Sequence, residues 1–459
     1  MQKITYSSAL VLTLSLASQV GLASGTIVTG ATTMSENAVP STYTFMPYIT
    51  VSTSPYIAQQ TAYDASDIWS QQSTMNEDLF LLQYKQQLEH SLEKVNASLD
   101  KRPILEISGA IEAVAIQTFN SFTSNSGNGD INLNTAELDF HAMASRWATA
   151  FMSLEFDSAP PETGNRVVNS RLYLSRGFAT IGDLDVFPVY FTAGQMYLPF
   201  GRYSSSMITS PLTLSLARIN DRAALLGFYK NGFYASIYVY PGIDANATDT
   251  VFHSGGANLG YKFKPISDLS VNIGAGAISD MTDSQGIGNT GATPSRFPGF
   301  TNIPNPFLPS NQYPFEHTVA GADVHTEISY GPWSFAAEFL SATREFATED
   351  LTFNGDGAAP KAAHFELSRD FLIVNQKCTA GLAYGHSWEA VGLNLPEQSF
   401  IGYLRTSFWK NTVEQIEFRH DQDYSTDDSS TAAVNFGVFN NQGTGKGRDM
   451  LLAQLGVYF

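Results

Sequence analysis

Cysteine is almost absent. Cys378 is the only one in 459 residues, so no disulfide forms within the chain and disulfide-stapled scaffolds are excluded. It sits among apolar alternates (Ala380, Leu382, Tyr384), the setting of a packed or lipid-facing thiol rather than a nucleophile. Long apolar runs are missing as well: past the first two dozen residues, no window approaches the ~18 apolar residues of a membrane-spanning helix. Positive charge is scarce, with 25 Lys and Arg against 43 Asp and Glu and a formal charge of −18. Nucleic-acid partners need a basic surface, and none is expected. The acidic balance suits a surface or lumen that admits cations. Gly-rich phosphate loops, nucleophile elbows and paired metal-ligand spacings are absent. No cofactor, no resident metal and no enzymatic activity are therefore expected.

What is present is aromatic and alternating. Hydrophobic residues make up 43% of the chain, including 21 Tyr and 31 Phe, yet the mean hydropathy is only −0.10. That combination fits alternating strands better than a helical membrane protein. The chain ends on such a strand: Leu451, Ala453, Leu455, Val457 and Phe459 occupy every second position, with Gln454, Gly456 and Tyr458 between them. Period two puts the two sets on opposite faces. Lipid accepts the apolar face, and closure of a barrel pairs the backbone.

Three zones precede the strands. Residues 1–23 read as a signal peptide, with Lys3, the apolar run Ala9 to Leu16 and the small-residue site Gly21-Leu22-Ala23. Residues 24–74 are rich in Ser, Thr, Ala and Tyr and read as an extended linker. Residues 75–102 read as a helix, ended by Lys101-Arg102-Pro103. Leu81, Leu88 and Val95 repeat every seven, with Leu92 and Leu99 offset by four; this is the spacing of a coiled-coil seam, interrupted by Lys85. Two readings stand: a periplasmic coiled coil joining barrels into a homo-oligomer, or an amphipathic helix docking on the chain's own body.

Residues 104–459 read as an outer-membrane β-barrel, all-β and antiparallel. Sixteen candidate strands span 105–117, 132–144, 147–157, 167–179, 186–196, 220–230, 233–240, 257–264, 269–278, 318–330, 333–342, 362–373, 377–388, 399–408, 412–421 and 449–459. Connections after even strands are short and those after odd strands mostly long, as barrel topology demands with both termini periplasmic. Lys230-Asn231-Gly232 is a tight-hairpin signal, because Asn-Gly tolerates positive φ at both central positions. The last strand is expected beside the first, with Leu105, Ile107 and Ile111 next to its lipid face.

Alternation also assigns the lumen. Glu137, Asp139 and His141 oppose Ala136, Leu138 and Phe140, while Asp323, His325 and Glu327 oppose Ala322, Val324 and Ile328. Gln415, Glu417, Arg419 and Asp421 share one face, joined by Arg171, Glu338, Glu366 and Arg405. Charge near the midplane of a lipid face costs several kcal/mol, so these groups point inward. A barrel of this strand number leaves an aqueous channel, although internal ion pairs satisfy the same charges in a sealed one. The third long loop, 197–219, follows Ala193-Gly194-Gln195 and contains Pro199-Phe200-Gly201. Folded inward, it brings Arg202, Tyr203, Arg218 and Arg222 to a constriction; folded outward, it is an ordinary external loop. The fifth, 279–317, is long and proline-rich, which marks a functional or disordered segment. His364, His386 and His420 near strand ends are the candidates for a Ser/His pair. His141, His317 and His325 have acidic neighbours that also fit a solvated lumen.

Three stretches carry a resemblance: Ser54-Pro55-Tyr56 through Ala62-Tyr63-Asp64-Ala65-Ser66-Asp67, then Met75-Asn76-Glu77-Asp78-Leu79, and Ala193-Gly194-Gln195 through Pro199-Phe200-Gly201. With the barrel and its short N-terminal helix, residues 50–459 resemble the LbtU-type siderophore porins of Legionella-like bacteria. The resemblance implies a sixteen-stranded barrel that takes up a ferric siderophore without a plug domain, and it names no site residue. A plugged, energy-coupled receptor is excluded, since roughly eighty residues before the first strand leave no room for a plug domain in a barrel of about 22 strands. The expected function is an outer-membrane porin for small polar solutes, iron–siderophore among them. The alternative is a surface binding or structural barrel with an occluded lumen.

Overall fold

Alternation, not apolar run length, sets the architecture. The computed structural model describes residues 42–44, 50–53, 76–94, 103–122, 127–156, 172–242, 252–288, 317–374, 376–409, 411–434 and 437–459. The signal segment 1–23, Arg171 and the prolines of the fifth loop lie outside these.

Sixteen antiparallel strands form the wall. The first five are β1 (Ile104–Thr118), β2 (Asn128–Met143), β3 (Ala148–Phe156), β4 (Leu172–Ile181) and β5 (Val189–Tyr197). Next come β6 (Asn220–Lys230), β7 (Phe233–Tyr240), β8 (Ser254–Ile266), β9 (Leu269–Ile278), β10 (Gly321–Tyr330) and β11 (Trp333–Ala342). The last are β12 (Lys361–Ile373), β13 (Gln376–Trp388), β14 (Gln398–Thr406), β15 (Thr412–Gln422) and β16 (Gly447–Tyr458). Each pairs with the next, and β16 pairs with β1, so the sheet closes on itself. Among the described residues no helix is long and apolar enough to cross a membrane.

The outer face is apolar. Leu226, Ile237, Leu259, Ile273, Val324, Leu382, Leu404, Ile416 and Leu455 are all exposed there. Trp147, Phe187, Tyr330, Trp333, Phe408 and Trp409 lie exposed at the short-turn end, where an interfacial aromatic girdle belongs. At the β6–β7 hairpin, Asn231 and Gly232 have φ of 52° and 86°, the two positive values that an Asn-Gly turn supplies cheaply.

The terminal strand lies against β1 as expected, but in a shifted register. Val457 pairs with Ile111, and Phe459 exchanges backbone hydrogen bonds with Gly109. Leu105 and Ile107 run past the terminus. Their open edge is covered by a short strand, Thr50–Thr53, running parallel to Ile104–Ile107 and itself paired with Thr42–Thr44.

The helix α1 spans Glu77–Lys94 and buries its first leucines against the barrel. Leu79, Leu81 and Leu82 pack with Phe151, Phe178 and Tyr190, inward residues of β3, β4 and β5. Tyr84 and Leu88 pack with Ile104 and Met143. Two residues of the expected coiled-coil seam, Leu81 and Leu88, are thus buried against the barrel's own strands, whereas Val95 and Leu99 lie outside the described residues, as does the side chain of Leu92. Lys85, its interruption, donates to the carbonyl of Arg146 in the first short turn and pairs with Glu89 at 3.5 Å.

At the opposite end the sixth, seventh and eighth loops pack together. Leu351, Ala358, Val391, Leu393 and Tyr424 form a buried apolar cap, braced by hairpins Thr352–Phe353/Asp356–Gly357 and Ser429–Val434/Gly437–Gln442.

Candidate functional site

The third long loop folds into the lumen and crosses to the far wall. Leu198, Phe200, Tyr203, Met207 and Ile208 are all buried. Gly201, with φ of 81°, makes the first bend; a Cβ there would meet the Tyr203 ring at 2.3 Å. The loop then descends a ladder of carboxylates. Gly201 N–H donates to Asp323 on β10 at 2.9 Å, and the amides of Arg202 and Tyr203 donate to Glu338 on β11. Ser206 N–H donates to Glu366 on β12 at 2.9 Å, and Ile208 and Thr209 donate to Glu417 on β15. Gln415 returns a bond, its amide donating to the carbonyl of Ser206 at 2.8 Å. Hydrogen bonds to ionised acceptors contribute about 1.5–3 kcal/mol each, so four carboxylates turn a flexible segment into a fixed one. A short helix, α2 (Leu212–Ala217), comes next. It is held under the fifth loop by Ser284, which donates to the carbonyl of Leu216.

The nearer half of the lumen is organised by Arg176 on β4. Its guanidinium bonds Glu77 of α1 at 2.7 Å, Glu155 at 3.3 Å, Ser153 at 3.0 Å and also Glu137, with Asp139 at 3.9 Å. It also lies over the rings of Phe151 and Tyr197, 5.5 and 5.6 Å from their centroids. Asp78 accepts from Thr192 of β5 at 2.8 Å. Burial pushes the Glu77 carboxyl up to about 8, against the pull of Arg176, and the Asp78 carboxyl up to about 6. Deeper along α1, Tyr84 donates to Glu106 at 2.9 Å, and Glu106 also bonds Nδ1 of His141 at 2.8 Å.

The expected lumen residues fall into four groups. Glu137 and Asp139 belong to the Arg176 cluster, while Glu417 anchors the loop. Arg419 pairs with Asp421 at 2.7 Å, which Arg448 also contacts at 2.6 Å, and Arg405 is wholly buried on β14. Of the loop residues, Arg202 pairs with Glu327 at 3.2 Å. Tyr203 is only 1% exposed, so it packs behind the loop. Arg218 lies over the Tyr197 ring at 4.7 Å and donates to Gln285 at 3.0 Å. Arg222 is misassigned as a constriction residue: it shares the outward face of β6 with Leu226, whereas Ala223 and Leu225 face inward and are buried. His364, His386 and His420 bond Glu366, Tyr384 and Asp449 respectively, rather than a serine.

No protein-family model matches the chain. Among solved structures, an anion-selective porin from Comamonas acidovorans is 12% identical with a TM-score of 0.49, covering 78% of this chain and 100% of that chain. Salmonella typhi OmpF in complex with daunomycin is 14% identical with a TM-score of 0.48, covering 77% and 97%. A UPF0422 protein of Coxiella burnetii is 32% identical over 413 residues, 89% of this chain and 84% of that protein. One from Legionella pneumophila strain Lens is 38% identical over 420 residues, 91% of this chain and 78% of that protein. By these relatives the chain, a closed sixteen-stranded β-barrel with an apolar outer face, belongs to the UPF0422 family.

Proposed function

We propose that this barrel is a transport channel for small polar solutes, with an iron–siderophore complex as its cargo. The observation that carries the transport reading is the third loop, drawn across the lumen and fixed on Asp323, Glu338, Glu366 and Glu417. A sealed structural barrel has no need of a constriction built from loop backbone. The rest of the lumen mixes both signs of charge, and Glu137, Arg202 and Arg218, which stay partly exposed, are proposed with Arg171 as the groups a polar cargo meets, while Asp139, Arg405 and Arg419 are buried in the wall. The siderophore rests on the likeness of the motifs at 54–67, 75–79 and 193–201 to LbtU-type porins. Under this reading the short turns and α1 face the periplasm, and α1 acts as a small movable stopper in place of a plug domain.

Reconstitution into planar bilayers should give discrete conductance steps. A deletion strain should lose uptake of labelled iron–siderophore but keep that of a simple sugar. A folded barrel that neither conducts nor takes up solute would sink the transport reading; equal loss of both solutes would remove only the siderophore. The second reading, a surface-binding barrel with a shut lumen, is favoured by the packed cap around Leu351, Val391 and Tyr424. Removing residues 429–442 should then abolish partner binding and leave permeability unchanged.

A further inference from the structure

On β10 and β11, Asp323, His325 and Glu338 bring one ligating atom each to within 4.8 Å of one another. All three are buried. His325 and Glu338 are direct cross-strand partners, and Asp323 lies two residues away on the same face as His325. The neighbouring strand makes room for them. Gly276 of β9 stands opposite Asp323, and Gly274 opposite His325. A Cβ at Gly276 would meet Asp323 Oδ1 at 2.2 Å, and one at Gly274 would meet His325 Nε2 at 2.3 Å. Both side chains therefore lie flat across bare backbone, in a cradle that any larger residue would fill. His325 is oriented by Asp323, its Nδ1 2.9 Å from Oδ2.

On the loop, Tyr203 donates its amide to Glu338 at 3.1 Å, is 1% exposed, and has a hydroxyl with no hydrogen-bond partner among the described residues. Arg202, the cation beside these groups on the loop, is engaged by Glu327. Two carboxylates and an imidazole form a compact set of hard and intermediate donors. Such a set suits a first-row divalent ion such as Mn²⁺, Fe²⁺ or Zn²⁺ and not a soft one. Each carboxylate oxygen has two lone pairs, so accepting the amides of Gly201, Arg202 and Tyr203 leaves capacity for a cation.

We propose that Asp323, His325 and Glu338 form a binding site for a divalent first-row transition-metal cation within the barrel wall. Because the same carboxylates hold residues 201–203, an ion bound there fastens the constriction loop to β10 and β11.

The test uses the full-length barrel in detergent, stripped with chelator and titrated with Mn²⁺ and Zn²⁺ under equilibrium dialysis. One ion per chain should bind, and His325→Ala and Glu338→Gln should each weaken binding by about tenfold or more. Gly274→Ala, which keeps all three ligands but drives a Cβ into the imidazole, should weaken it too. His141→Ala, a lumen histidine outside the trio, should leave it unchanged. Circular dichroism checks that each variant keeps its strand content. Should His325→Ala fail to fold, Co²⁺ added to the unaltered barrel still decides: a visible band displaced by Zn²⁺ supports the site, and no band overturns it. Less than one ion per chain at millimolar metal, or a folded His325→Ala that binds as tightly as the parent, also overturns it.

Discussion

The two halves of the lumen are both crowded with carboxylates, yet they are balanced by opposite means. Along β2 to β4, Glu137, Asp139 and Glu155, joined by Glu77 of α1, converge on one guanidinium, that of Arg176. Along β10 to β15, Asp323, Glu338, Glu366 and Glu417 are spread over the wall, and each takes backbone amides from the third loop. A single cation concentrates the electrostatics of the first half in one residue. Backbone dipoles spread them along the loop in the second. The first arrangement is brittle and the second degrades one rung at a time.

The largest expected effect breaks the brittle half. Removing one partner from a buried ion pair leaves an uncompensated charge and costs about 3–5 kcal/mol. Arg176→Ala strands several carboxylates at once, so it should destabilise the barrel by at least that amount, read as a drop in the urea midpoint of the refolded protein in vesicles. Arg176→Lys should recover only part of the loss, because one ammonium cannot span partners that the two guanidinium branches reach separately. An Arg176→Ala barrel with the parent midpoint would mean that the cluster contributes nothing to holding the fold.

The distributed half should yield less. Glu417→Gln keeps an acceptor oxygen but removes the charge that Ile208 and Thr209 bond. The expected cost is about 1.5–3 kcal/mol, felt locally. Amide exchange should quicken at 208–209 while Gly201, Tyr203 and Ser206, held by other carboxylates, stay protected. Uniform acceleration along the whole loop would show instead that its anchors act as one unit, and the contrast between the halves would fall.

The contrast also explains what alternation alone could and could not reveal. Strands 220–230, 233–240, 269–278 and 333–342 match the wall to the residue, because turn residues bound each one and period two runs unbroken through it. The inward placement of Glu137, Asp139 and Glu417 comes from the same parity. Arg176 escaped because β4 carries a bulge: Ser153 pairs with Arg176 and Leu154 with Leu174, leaving Ser175 unpaired. The bulge moves the inward face from odd to even positions, so parity carried from Arg171 misreads the strand beyond Ser175. Arg222 failed for another reason. On β6 both faces are apolar, since Leu225 packs into the interior and Leu226 meets lipid, so no polar face marks the inside. The carboxylate ladder was legible as acids but not as anchors. Its partners are backbone amides more than a hundred residues away, and these carry no side-chain signature.

The smallest expected effect concerns how firmly α1 sits in the brittle half as pH changes. Docking raises the Glu77 carboxyl from 4.5 to about 8 and the Asp78 carboxyl from 3.8 to about 6, in both cases chiefly through burial. The docked helix therefore holds protons that the free helix would release. This contribution is complete below the free values, is lost as pH climbs through about 6 for Asp78 and about 8 for Glu77, and does not change beyond that. Arg176 opposes the trend at Glu77, while Glu137, Glu155 and Asp78 reinforce it. Hydrogen exchange of the α1 amides, corrected for the intrinsic rise with pH, should show protection falling between pH 5 and 9. Glu77→Gln should erase the upper part of that fall and leave the Asp78 step. Protection that is flat or grows with pH would mean that Arg176 keeps Glu77 ionised in the docked state. The helix would then be locked by the ion pair rather than poised to leave it.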